Sequence, residues 1–267
     1  MQKFFQDKVI LITGASSGIG RALSEKLAQM GAIIYNADLQ KPSQNLPNII
    51  FLPLDVRNFE QFQAVFQEIL QKHNRIDILI NNAGIGVAGE AQDLDLSAWQ
   101  KVIDTNLWGV IHGSKIAYDL MIKQGFGHIV NMASMSALIS FPLAIPYATA
   151  KHGVLGLSKS LRVEGAGFGV KVTAICPGFV ESALYDNAIK SHTDTQKIKS
   201  TIPFPILPTE KAVQYILKGI VKNKGVMIFP FYTRLTMWLE RLFPNLVSKF
   251  VLQKAVKDFR KSKIKKA

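Results

Sequence analysis

Short, uninterrupted apolar runs alternate along this chain with longer segments in which apolar positions recur at helical spacing. A continuous apolar run of strand length indicates a strand buried on both faces, and an amphipathic stripe predicts a helix that covers a sheet. Strands and helices that alternate in this way predict parallel βαβ units with right-handed crossovers. The expected fold class is therefore α/β, with a doubly wound parallel sheet of about seven strands and helices on both faces.

The same pattern sets the element boundaries. Strands are predicted at residues 9–13, 32–37, 49–53, 76–80, 127–132, 170–175 and 226–229. Helices are predicted from the loop at 14–20 to residue 30, over 59–72, over 97–123 with Ser97 as the N-cap, over 147–165 and over 209–222. Residues 181–208 are polar and lack a regular period, which predicts an irregular excursion.

Length and composition are compatible with one large α/β domain, because 48% of the 267 residues are hydrophobic and no shift in composition divides the chain. The single cysteine, Cys176, lies in an apolar run, which predicts a buried thiol and fits a reducing compartment. We expect a cytoplasmic location, because the apolar run at 9–12 is too short for a signal peptide. Charges and prolines also interrupt the apolar region 226–252.

Positive charge is concentrated at the C-terminus. The net charge is +13, and five lysines and arginines fall within residues 260–267. No nucleic-acid motif accompanies them, so no nucleic-acid partner is expected. Just upstream, Leu235, Trp238, Leu239 and Leu242 form an apolar helical stripe. Three interpretations of this basic, amphipathic extension (231–267) remain open: peripheral contact with the inner membrane surface, closure of a substrate pocket, or a dimer contact.

A glycine-rich loop follows the first predicted strand. Gly14, Gly18 and Gly20 are spaced as G-x-x-x-G-x-G directly before a predicted helix. Glycines there permit close backbone approach, and a helix N-terminus favours a pyrophosphate. This placement predicts a Rossmann-type NAD(P)-binding domain over residues 1–230, followed by the extension.

Cofactor preference is predicted from Asp38 at the end of the second strand. A carboxylate there accepts hydrogen bonds from ribose hydroxyls and repels a 2′-phosphate, and Leu39 supplies no compensating charge. NAD is therefore favoured over NADP, although Arg21 beside the loop would help NADP. An ordinary turn aspartate is the structural alternative.

Tyr147 and Lys151 are four residues apart in a predicted helix and so share one face. A tyrosine acts as an acid or base near neutrality only if its pKa falls from about 10, which corresponds to roughly 4 kcal/mol. An ammonium about 5 Å away would supply roughly 3 kcal/mol of this. The five histidines show no metal-ligand spacing, and no metal site is expected.

Further residues occur in a fixed order around this pair. They are Thr13, Gly14, Gly18 and Gly20, then Asp55-Val56, Asn81-Asn82-Ala83-Gly84, Asn106, Ser134, Tyr147, Lys151 and Pro177-Gly178. In order and spacing, the chain resembles the short-chain dehydrogenase/reductase family over about residues 8–230.

The resemblance implies roles for individual residues. Tyr147 would be the acid/base, Lys151 would lower its pKa and bind the nicotinamide ribose, Ser134 would orient the substrate oxygen and Asn106 would anchor a proton-relay water. A homodimer or homotetramer is also implied. Besides Gly14, Gly18, Gly20, Asp38, Tyr147 and Lys151, the implied cofactor contacts are Ser16, Ser17, Ile19, Asp55, Val56, Asn82, Ala83, Gly84, Pro177, Gly178, Val180 and Ser182.

The segments expected to surround the substrate are strongly apolar. They contain Ile85, Val87, Met135, Leu138, Ile139, Phe141, Leu143, Phe179, Leu184 and Tyr185. We therefore expect an oxidoreductase that interconverts a small lipophilic secondary alcohol and its ketone. An NADP-dependent carbonyl or 3-oxoacyl reductase is an alternative, and a non-catalytic cofactor-binding regulator is an alternative of another class.

Overall fold

A computed structural model describes residues 1–42, 47–182, 184, 188–191 and 204–262. Its centre is a seven-stranded sheet in which all paired neighbours are parallel. The strands are β1 (Val9–Thr13), β2 (Ile33–Asp38), β3 (Ile49–Pro53), β4 (Ile78–Asn81), β6 (Gly127–Met132), β7 (Val170–Pro177) and β9 (Val226–Phe229), and their order is β3-β2-β1-β4-β6-β7-β9. The predicted doubly wound fold is confirmed.

Helices cover both faces of this sheet. Along the described residues the helices are α1 (Gln2–Phe5), α2 (Gly18–Gln29), α3 (Phe59–His73), α4 (Leu96–Ile103), α5 (Gly109–Gln124), α6 (Ile145–Gly165), α7 (Thr209–Val221), α8 (Phe231–Leu242), α9 (Pro244–Val247) and α10 (Gln253–Ser262). Side chains of α2 and α7 pack on one face, and those of α3 and α5 pack on the other. The strands are continuous apolar runs because both of their faces are covered.

The prediction of one uninterrupted helix over 97–123 is wrong in two respects. A π-helical turn, Asp104–Trp108, separates α4 from α5. The N-cap is Asp95 rather than Ser97, because the Asp95 carboxylate accepts a hydrogen bond from the Ala98 N–H at 2.8 Å. The extra residue of a π turn shifts the helical register, which periodicity over a long window conceals.

The predicted excursion at 181–208 contains one short regular element in its described part. Strand β8 (Ile189–Lys190) pairs in parallel with β5 (Val87–Ala88) in a separate two-stranded sheet. This sheet connects the segment after β4 to the segment after β7. The rest of the excursion is described only in part, and Tyr185 lies outside the described residues.

A buried polar network ties the central strands together below the crevice. The Asn81 side-chain amide donates to the Asn131 side-chain oxygen Oδ1 at 2.8 Å and to Ser114 Oγ at 3.2 Å. Asn131 in turn donates to Ser158 Oγ at 3.0 Å. These bonds link β4 and β6 to α5 and to α6, the helix that carries Tyr147 and Lys151.

Among the residues that the structure describes, no helix combines the length and the apolar character needed to cross a bilayer. The segment after β9 forms α8, α9, a π-helical turn at Ser248–Leu252, and α10. Lys263, Lys265 and Lys266 of the predicted basic tail lie outside the described residues.

Candidate active site

The glycine-rich loop packs directly against the turn that follows β4. Gly14 has φ of 64°, and a Cβ on it would lie 2.7 Å from Ala83 Cα. A Cβ on Gly20 would lie 2.3 Å from the Gly14 carbonyl oxygen and 2.5 Å from Asn82 Nδ2. These glycines are therefore required for packing as well as for any approach of a phosphate.

Thr13 joins these two segments, and it was not among the predicted site residues. Its hydroxyl accepts the backbone N–H groups of Asn82 and Ala83, each at 3.0 Å. The Asn82 amide returns two bonds, to the carbonyl oxygens of Thr13 at 3.0 Å and Gly14 at 2.9 Å. Its position directly before the first glycine of the loop is the sequence feature that would have identified it as a site residue.

The N-terminus of α2 opens at this loop. Its N-cap residue, Ser17, makes no side-chain capping hydrogen bond to the residues that the structure describes. The first-turn N–H groups and the positive end of the helix dipole are suited to an anion. The glycine packing and this helix end fit the pyrophosphate of a dinucleotide.

Asp38 ends β2 beside the same loop. One carboxylate oxygen accepts the Ser16 N–H at 2.9 Å and the other accepts the Gln40 N–H at 3.1 Å. The side chain thus shapes the loop, as a turn aspartate does, while it also lines the cavity. Arg21 pairs with Glu25 on α2 at 2.7 Å.

Asp55 and Val56 follow β3. Arg57 forms a bidentate ion pair with Asp55, with contacts of 2.9 and 2.6 Å, and these hydrogen bonds lower the pKa of the carboxyl. Arg57 itself lines the cavity, which sequence reasoning missed. Val56 is buried, and its carbonyl oxygen lies 3.0 Å from His112 Nδ1.

Ser134, Tyr147 and Lys151 converge at the ends of β6 and α6. Lys151 is 3% exposed, and its ammonium donates to the Met132 carbonyl oxygen at 2.7 Å. The same ammonium lies 5.5 Å from the centre of the Tyr147 ring. Ser134 lies two residues after β6, and its hydroxyl oxygen accepts the Ser136 N–H at 3.1 Å.

Burial dominates the electrostatics of this group. It raises the pKa of Tyr147 to about 12, and a hydrogen bond with Ser134 acts in the opposite direction. It also lowers the pKa of Lys151 to about 8. Burial thus favours the neutral phenol in the described state, and the lowering of the Tyr147 pKa by Lys151 stays a prediction.

Asn106 lies behind this group, in the π-helical turn, and is fully buried. Its amide donates to the Ile85 carbonyl oxygen and accepts the Ile85 N–H, each at 2.8 Å. A Cβ on Gly84 would lie 3.0 Å from the Asn106 oxygen and 3.7 Å from the Lys151 ammonium nitrogen. Asn106 therefore fixes the backbone beside the lysine, and its role as a water anchor stays a prediction.

A single cavity of about 670 Å³ brings most of the predicted residues together. The predicted site residues that line it are Gly14, Ser17, Gly18, Ile19, Asp38, Asp55, Val56, Asn82, Ala83, Gly84, Ser134, Tyr147, Lys151, Pro177, Gly178, Val180 and Ser182. Ser16, Gly20 and Asn106 do not line it, but they contact the lining residues Asp38, Gly14 and Ile85, respectively. Of the predicted apolar wall, Leu138 does not line the cavity and packs against a small core cluster instead.

Comparison with known proteins agrees with this arrangement. The family model for short chain dehydrogenases matches residues 8–193. The chain belongs to the short chain dehydrogenase family. It is therefore an NAD(P)-dependent oxidoreductase by family, and solved neighbours of this fold hold NAD or NADP.

The relatives of this short chain dehydrogenase are named for reactions on different substrates. A 3-oxoacyl-[acyl-carrier-protein] reductase of Thermotoga maritima is 35% identical over 71% of this chain and 81% of its own length. A 3-ketodihydrosphingosine reductase of Bacteroides thetaiotaomicron is 34% identical over 68% of this chain and 67% of its own. The NAD complex of a Burkholderia phymatum short chain dehydrogenase/reductase has a TM-score of 0.81 and 26% identity, covering 91% of this chain and 95% of that one.

The C-terminal helices of this short chain dehydrogenase supply a wall of the cavity. Thr236 and Glu240 of α8 line it, as do several apolar residues between Val247 and Phe259. The Glu240 carboxylate accepts the Ser140 N–H at 2.8 and 3.0 Å, which holds α8 against the loop after β6. In the described residues, the C-terminal extension therefore closes one side of this cavity, which was one of the three interpretations left open by the sequence.

Proposed function

We propose that this short chain dehydrogenase transfers a hydride between a nicotinamide cofactor, with NAD favoured, and a lipophilic secondary alcohol or ketone. One observation carries the proposal: a single cavity is lined by the glycine-rich loop, by Ser134, Tyr147 and Lys151, and by apolar side chains. A phosphate-binding loop, a proton donor and an apolar substrate wall are the parts that such a reaction needs.

The residues present would hold the dinucleotide along one side of the cavity. The first turn of α2 would hold the pyrophosphate, Asp38 the adenosine ribose, and Asp55 and Val56 the adenine. Lys151 would hold the nicotinamide ribose. When bound, the nicotinamide supplies or accepts the hydride.

The chain's own residues move the proton. Tyr147 keeps its proton in the described state because burial raises its pKa to about 12. A protonated phenol is the form that donates a hydrogen bond, and then a proton, to the oxygen of a ketone. Ser134 would donate to the same oxygen and orient it, and Lys151 would favour the phenolate that remains by its positive charge.

The substrate class is inferred from the walls of the cavity. Apolar side chains from the segments after β4, β6 and β7 line it. They are Ile85, Val87, Met135, Ile139, Phe141, Leu143, Phe179 and Leu184. An extended lipophilic ketone fits such walls, and the similarity to a 3-ketodihydrosphingosine reductase supports this class.

Reduction of a 3-oxoacyl group is the second candidate. It is supported by the similarity to a 3-oxoacyl-[acyl-carrier-protein] reductase. A cofactor-binding regulator without catalysis is the third candidate, and the presence of Ser134, Tyr147 and Lys151 in one cavity argues against it.

The test is Tyr147→Phe, assayed with a panel of lipophilic alcohols and ketones and with 3-oxoacyl thioesters. We expect wild-type turnover of the lipophilic ketones, loss of at least a hundredfold in the variant, and retained NADH binding by fluorescence. Tyr118→Phe, outside the cavity, is the matched control. Turnover by Tyr147→Phe at the wild-type rate, or wild-type activity confined to the thioesters, would refute the proposal.

A further inference from the structure

The helices after β9 expose a large set of apolar side chains. Eight of them are between 43% and 78% exposed, and we call this set the apolar face. Its members are Phe231, Leu235, Trp238, Leu239, Leu242, Phe243, Leu246 and Phe250. Single exposed apolar residues are ordinary, but a cluster of this size within one short segment marks a surface for interaction.

The same helices have a second, different face. Thr236 and Glu240 of α8 point to the cavity, and Thr233 is fully buried. The apolar positions 231, 235, 238, 239 and 242 recur at helical spacing on the remaining surface of α8. Packing against the cavity thus accounts for one side of α8 and leaves the apolar side to another occupant.

Charge indicates the nature of that occupant. Residues 231–267 contain ten lysines and arginines against two acidic residues, within a chain of net charge +13. Arg234, Arg241 and Lys249 alternate with members of the apolar face along the chain and are exposed. Large apolar side chains among basic residues are the composition of helices that lie in the interface of an anionic bilayer.

We propose that the apolar face docks this short chain dehydrogenase on an anionic lipid membrane, with α8, α9 and the π-helical turn Ser248–Leu252 lying in the interface. The apolar side chains enter the boundary of the acyl region, and the basic side chains contact lipid phosphates. No helix that spans the membrane is needed for this attachment. The proposal is independent of the substrate proposed above.

The first experiment is flotation of the full chain with vesicles of phosphatidylcholine alone or mixed with phosphatidylserine. We expect flotation with the phosphatidylserine vesicles and at least tenfold weaker association with phosphatidylcholine alone. High salt should release much of the bound protein, because screening weakens the contribution of the basic residues. Failure of the full chain to float with the anionic vesicles would overturn the proposal.

A matched pair of variants locates the contact. The double variant Trp238→Ser and Leu242→Ser removes two apolar side chains that are 53% and 64% exposed. The control is the double variant Trp108→Ser and Leu96→Ser, which removes two apolar side chains outside the apolar face that are 50% and 84% exposed. We expect the first variant to lose at least tenfold in vesicle association and the control to bind as wild type. Equal loss in both would overturn the proposal.

Two further measurements distinguish membrane docking from self-association and from misfolding of the variant. Analytical ultracentrifugation identifies the rival occupant: a lower oligomeric mass in Trp238→Ser with Leu242→Ser, with unchanged flotation, would assign the face to a second copy and overturn the proposal. If that variant fails to fold, Leu242→Cys labelled with a polarity-sensitive dye replaces it, since the native Cys176 is buried. A blue shift on anionic vesicles, absent from labelled Leu96→Cys, supports the proposal, and equal spectra contradict it.

Discussion

Arg260 donates a hydrogen bond to Glu90 at 2.8 Å across 170 residues of sequence. Glu90 is almost buried, whereas the Arg260 side chain is 60% exposed. The pair joins α10 to the segment after β5, beside Phe259, which is buried and lines the cavity. It fastens the C-terminal wall of this cavity to the body of the protein.

Breaking this pair should loosen the wall. For Arg260→Gln we expect a several-fold rise in KM for a lipophilic ketone with a smaller change in kcat, because the cavity wall is held less often in place. The coupling with Glu90→Gln in a double-mutant cycle should be about 1 kcal/mol, since solvent screens the exposed guanidinium. Lys261→Gln, a change to the neighbouring exposed cation, is the control, and an equal rise in KM there would contradict this role.

Asp38 should control the choice of cofactor. Asp38→Asn removes the charge that would repel a 2′-phosphate, and the amide oxygen can still accept a hydrogen bond from Ser16. We expect the ratio of NADPH to NADH affinity to rise at least tenfold, within the roughly 3 kcal/mol available to a close charge pair. Fluorescence titration measures both affinities. Asp119→Asn, on the surface of α5, should leave the ratio unchanged, and a wild-type preference for NADPH would refute the NAD assignment.

His128 should make the fold sensitive to acid. Burial lowers its pKa from 6.5 to about 3, and its ring nitrogen Nε2 lies 2.8 Å from Thr173 Oγ1. Above the unfolded pKa the ring is neutral in both states and has no effect on pH dependence. Between pH 6.5 and about 3, only the unfolded chain takes up the proton, so this contribution to stability is lost as the pH falls.

Unfolding in urea across this pH range measures the effect. The loss due to His128 should approach about 1.4 kcal/mol for each pH unit well below the unfolded pKa. In His128→Gln this component should be absent, while the exposed control His152→Gln should keep it. An unchanged acid slope in His128→Gln would show that another group is responsible.

Asn106 should act as a positioning residue. Asn106→Ala leaves the part-buried N–H and carbonyl oxygen of Ile85 without the side-chain partner seen here, which costs at most about 3 kcal/mol for each group. We expect a lower unfolding midpoint and a lower kcat, since Gly84 lies between this side chain and the Lys151 ammonium. Asn106→Ser is the comparison, and partial recovery of kcat with a pH profile shifted from wild type would favour positioning over stability alone. Stability and kcat at wild-type levels in Asn106→Ala would contradict the role.

The sheet and the glycine-rich end of the crevice could be inferred from the sequence alone. Buried parallel strands are continuous apolar runs, and the loop glycines precede a helix, so both signals are local. Gly14 and Asp38 could be named because each stands at the carboxyl end of a strand, and Tyr147 and Lys151 because their spacing of four residues places them on one face of a helix.

Four other features of the site and its walls could be seen only in the tertiary structure. The π-helical turn that carries Asn106 and the burial that raises the pKa of Tyr147 depend on neighbours remote in sequence. The bond between Glu90 and Arg260 and the use of α8 as a cavity wall have the same origin. An amphipathic stripe indicates that a helix has an apolar side. Which surface that side contacts depends on long-range packing, and this contact in turn determines the burial and the charge pairing of each residue.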